Sequence, residues 1–105
     1  MSEPSSGPAP YQVAYSGWVK DELRALGARA TARGLGSQFL AALKEIDQRL
    51  KVYPQFGEPL RDLELEPAQL WIGVIAPLVV QYVLDEERRL VMVSVPILPL
   101  PRSGL

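Results

Sequence analysis

The sequence predicts an α+β domain in which a helical hairpin packs on a small, mainly antiparallel sheet, in the order β-α-α-β-β-β. Three observations predict it. Residues 39–53 carry an apolar stripe of helical period, a second such stripe lies just before it, and three short apolar, β-prone runs follow both. The segment Tyr11-Gln12-Val13-Ala14-Tyr15 alternates large and small side chains and reads as a first strand. Ser16 stands where a helix N-cap belongs, because its hydroxyl can accept from an otherwise unpaired amide.

Val19, Leu23, Leu26 and Ala30 then follow at spacings of 4, 3 and 4, one face of a helix. Thr31 to Gly36 interrupts the pattern, and Gly34 and Gly36 permit a reversal. The second helix is marked by Phe39, Leu43, Ile46, Leu50 and Tyr53, with Gln38, Lys44, Glu45, Gln48, Arg49 and Lys51 on its wet side. Pro54 disfavours helical geometry at Tyr53 and should end it. Leu23, Leu26, Phe39, Leu43, Ile46 and Leu50 are the expected hairpin core.

Residues 54–60 read as a loop, on two prolines and a glycine. Strands are expected at Leu70–Ile75, Leu78–Leu84 and Leu90–Val95, with Asp85, Glu86 and Glu87 in a solvated hairpin tip between the last two. The tail from Pro96, rich in proline, should run extended and dock on the domain or a partner through Ile97, Leu98 and Leu100. Residues 1–10 read as a flexible leader, 11–95 as the domain and 96–105 as the tail.

Composition narrows the chemistry. At 105 residues, 48% hydrophobic and 22% charged, the chain suits one globular domain. It has no cysteine, which excludes a disulfide, a thiolate metal site and a catalytic thiol. It has no histidine either, the commonest acid–base and metal-ligand residue. No metal or other cofactor is expected, nor a phosphate-binding loop. The net charge of −1 gives little reason for direct nucleic-acid binding. No stretch reads as a signal peptide or a membrane helix, so a cytoplasmic protein is expected.

Three passages resemble the RelE/ParE family of bacterial toxin–antitoxin systems, over about residues 11–95. They are the opening strand into a capped helix at Tyr11–Ser16, the helix exit from Leu50 through Pro54 and Gly57 to Leu60, and the strand from Pro77 through Tyr82 to Glu86. The resemblance implies a toxin component, of the kind called plasmid stabilisation proteins, held by a cognate antitoxin. It departs from the family where its RNA-cleaving members carry their chemistry. Aligned on Tyr82, Val79 stands at the usual arginine position, and Pro96-Ile97-Leu98-Pro99 replaces a basic or histidine-containing end. Cleavage needs a base, an acid and positive charge on the phosphate, and valine offers none of these.

The expected mode of action is therefore protein binding rather than catalysis. Two alternatives stand beside it: an mRNA-cleaving RNase with relocated catalytic groups, and a non-toxic interaction or dimerisation domain. Arg61 and Tyr82 are the candidate catalytic residues. Trp71, Leu98 and Leu100, large side chains without an evident internal duty, are the candidate partner-binding residues, toward an antitoxin or a second copy. Tyr15 and Tyr53 read as core or rim aromatics, Glu64 and Glu66 as the wet face of an edge strand, and Lys20, Arg24, Arg29 and Arg33 as solvated helix surface.

Overall fold

The computed structural model describes residues 9–64 and 68–105, the side chains of 61–64 excepted. Its elements are β1 (Gln12–Tyr15), α1 (Gly17–Ala32), α2 (Gly36–Val52), β2 (Glu58–Glu64), β3 (Gln69–Ile75), β4 (Leu78–Asp85), β5 (Leu90–Val93) and β6 (Leu98–Pro99). The class and order are those expected of the sequence, an α+β domain with two strands more. Calls on residues 1–8 of the leader, on Glu66 and on the side chains of Arg61 and Glu64 lie outside the described residues.

Local chemistry sets the helix ends. The Ser16 hydroxyl accepts from the Val19 amide at 3.2 Å, which satisfies one of the first-turn donors of α1. Gly34, at φ 74°, makes the left-handed step that lets α2 return along α1. The last turn of α2 closes at Tyr53, whose amide still reaches the Arg49 carbonyl at 2.7 Å before Pro54 ends the pattern.

Strand order is β1-β5-β4-β3-β2, with β6 paired to the start of β4. All pairings are antiparallel except that of β1 with β5. β1 and β5 can pair in parallel because the hairpin and strands β2 to β4 all lie between them in the chain, a connection long enough for the return. In β4 the residues alternate strictly: Leu78, Val80, Tyr82 and Leu84 point to the helices and are buried. Leu26, Ala30, Phe39, Ile46 and Leu50 meet them from the hairpin, with Val91 and Val93 from β5. Each large apolar side chain buried there contributes roughly 1.5–3 kcal/mol. Leu23 and Leu43, expected in the same core, are only half-buried against its margin.

Several expectations are corrected. Residues 54–60 are not a loop throughout: Pro54–Phe56 form a 3-10 turn and β2 starts at Glu58. Two prolines masked the strand, but Pro59 sits in the outermost strand, where a missing amide costs no ladder bond in the sheet interior. Gly57 permits the entry, since a Cβ there would collide with the Ile72 carbonyl and the Tyr82 hydroxyl. Asp85 is no solvated tip residue. It is 4% exposed, and its Oδ1 accepts the Arg88 amide at 3.1 Å, fixing the β4–β5 turn. Tyr53 is 58% exposed, because ending the helix turns it outward.

The tail docks, but not as a free polyproline segment. Ile97 is buried, Leu98 pairs with Val79 and Pro99 with Leu78, and the Leu100 amide donates to the Pro77 carbonyl at 2.8 Å. Arg33 donates to the Gly104 carbonyl at 3.0 Å, and Leu105 packs against the core margin. Pro99 is tolerated because β6 is a two-residue edge strand.

Candidate functional site

Register divides the sheet residues into two sets. Partners across a ladder lie on the same face, so Trp71, Gly73 and Ile75 of β3 share the helix side with Tyr82, Val80 and Leu78. The opposite set is Leu70, Ile72 and Val74 on β3, Val79, Gln81 and Val83 on β4, Met92 on β5 and Leu98 on β6. No described element packs over these residues. Val74 is 55% exposed, Leu98 59% and Met92 38%, while the others are half-buried by their strand neighbours.

Among the described residues this open face is apolar and almost free of charge. Asp85 lies at its end and is spent on the turn, while Glu58, paired with Ile72, borders it on the outer strand. Gln81, in the middle of β4, is the polar residue at its centre, and its amide makes no hydrogen bond among the described residues. Contiguous exposed apolar patches larger than a few hundred Å² mark interaction surfaces on globular proteins.

The predicted site residues divide between the two faces. Leu98 lies on the open face, cross-strand from Val79, which in turn faces Val74 on β3. Leu100 is half-buried beside Pro77. Trp71 does have an internal duty: it lies on the helix side, half-buried against the core, with its indole nitrogen buried and unpartnered among the described residues. Tyr82 is 1% exposed, stacks on Phe56 with ring centroids 5.9 Å apart, and donates its hydroxyl to the Pro54 carbonyl. Burial pushes its phenol well above the ordinary range, only partly opposed by the Gly57 amide. Such a group neither meets substrate nor gives up a proton readily. Its work is to tie the exit of α2 to the sheet. Val74, Gln81 and Met92 carry no mark in the sequence beyond strand alternation.

A groove of about 460 Å³ lies between the helices beside β1, lined by Tyr15, Lys20, Leu23, Leu43, Lys44 and Asp47. The Tyr15 hydroxyl donates to Asp47 Oδ1 at 2.7 Å, and Lys51 holds the other carboxylate oxygen at 2.8 Å. Burial, and then the Asp47 carboxylate, raises the Tyr15 phenol. Burial also pushes Asp47 upward, but the bonds from Lys51 and Tyr15 outweigh it and leave the carboxyl below its usual range. On the rest of α1, Arg24 pairs with Asp21 at 2.7 Å, an exposed contact of little energetic weight.

Among the described residues no three Asp or Glu side chains gather as a metal site, and no helix is long and apolar enough to cross a membrane. Comparisons with protein-family models, curated proteins and solved structures found no match to this chain.

Proposed function

We propose that this chain is a RelE/ParE-like toxin component of a cytoplasmic toxin–antitoxin module that acts by binding protein rather than by cutting RNA. The open sheet face is the observation that carries the reading. At the position where the resembling family usually holds an arginine, Val79 lies between Val74 and Leu98 on an apolar surface. Such a surface offers nothing to a phosphate, which needs charged or hydrogen-bonding donors. It offers much to a partner chain, because covering Val74, Met92 and Leu98 removes exposed apolar area from water. Tyr82 adds nothing to the catalytic alternative, since its hydroxyl is buried and engaged.

The experiment is expression of the chain alone and together with the product of the adjoining small reading frame, scoring growth, with ribosome-programmed messenger cleavage in parallel. Growth arrest relieved by the second product, without codon-linked cuts, is the expected result. Clear cuts by the unmodified protein would overturn it, and Val79→Arg serves as the comparison.

A further inference from the structure

We propose that the open sheet face closes on a second copy of this chain, as a two-fold dimer whose axis passes beside Gln81. The proposal deepens the reading of that face as a protein-binding surface by naming one occupant for it.

Three properties bear on the pairing: charge and a central amide fit the face to a copy of itself, and its size keeps the pairing weak. The first is charge. An isologous interface sets every residue of the patch against the same patch, so any fixed charge near the axis meets its own kind. The central strands present Leu70, Ile72, Val74, Val79, Val83 and Met92 here, none of them charged, and Asp85 at the end is turned into its hairpin.

The second is Gln81. An unpaired amide in the middle of an apolar face opposes burial, because covering it without a partner leaves both donor and acceptor unsatisfied. A side-chain amide carries donor and acceptor together, so two copies meeting across an axis satisfy each other. Gln81 is central in β4, with Ile72 beside it on β3, so the axis has a natural position.

The third is size. β3 and β4 are seven and eight residues long, which at about 3.3 Å per residue makes a face roughly 25 Å long. Three neighbouring strands spaced about 4.8 Å apart give it a width near 15 Å. Two such faces stacked about 10 Å apart form the core of a sandwich. Together they bury about 750 Å², below the ~1,000 Å² that a lasting interface clears, so the dimer is weak and dilution separates it.

The test is mass in solution, by sedimentation or light scattering, across a dilution series of the full chain. The unmodified protein should pass from dimer to monomer as it is diluted. Gln81→Glu should be monomeric at neutral pH, where two carboxylates face each other, and should regain the dimer as the pair protonates in acid. Gln81→Lys should be monomeric on its own and form a one-to-one heterodimer when mixed with Gln81→Glu. Leu40→Lys, at an exposed helix position, should leave the dimer intact. Melting temperatures of the four proteins establish that each is folded. A monomer at every concentration of the unmodified protein would overturn the proposal. So would a dimer indifferent to both charges at position 81. Either result leaves the toxin–antitoxin reading standing, since that reading is scored by growth and by the second product.

Discussion

The two faces of the sheet are built from the same kinds of residue and have opposite fates. On the helix side Val80, Leu84 and Val91 are sealed beneath Ile46 and Leu50. On the other, Val74, Met92 and Leu98 stand in solvent with equally apolar side chains. Hydrophobic burial is proportional to area removed from water, so the first face supplies folding free energy. The second leaves comparable apolar area in water, where a covering chain would gain by removing it. Substitutions of similar chemistry should therefore act on stability on one side and on association on the other.

The largest separation should come from Ile46→Ala. The side chain is fully buried and its removal leaves a cavity, so a loss of about 2–5 kcal/mol is expected in denaturant unfolding. A loss below 1 kcal/mol would show that the hairpin does not seal this face. Deleting residues 96–105 should cost less, roughly 1.5–3 kcal/mol for the buried Ile97 side chain, read from the same unfolding curve. An unchanged curve would mean that the tail does not dock.

Val74→Lys sharpens the comparison from the other side. At an exposed position its effect on unfolding should stay within about 0.5 kcal/mol, while association through the face is lost. A large drop in stability would show that something in the free chain already covers the face. The smallest effect concerns Asp47 beside the helix groove. Its folded pKa lies below the ordinary value, so its contribution is present above that value and is lost as pH falls through the folded one. Asp47→Asn should flatten the acid limb of stability against pH, and an unaltered limb would remove the Tyr15–Asp47–Lys51 network from the account.

Periodicity made the hairpin legible: Phe39, Ile46 and Leu50 are core as their spacing predicts, and Ser16 caps α1 as its position predicts. What stayed hidden needed long-range pairing. Strand alternation separates Trp71 from Ile72 but does not say which of the two faces the helices, because both sets are apolar. Trp71 was therefore expected at a partner surface and lies against the core instead. The start of β2 was hidden by Pro59, whose missing amide is harmless only in an outer strand. Asp85 carries no local sign of burial, since the turn that consumes its carboxylate is set by Arg88 three residues on.

The central claim is that the open face works by binding a protein chain. Its most direct test is the mass in solution, across a dilution series, of the unmodified protein and of Leu98→Lys. A dimer lost in the variant, at an unchanged melting temperature, is the predicted result. A dimer that survives the lysine, or a monomer at every concentration of both proteins, would contradict the assignment of binding to this face.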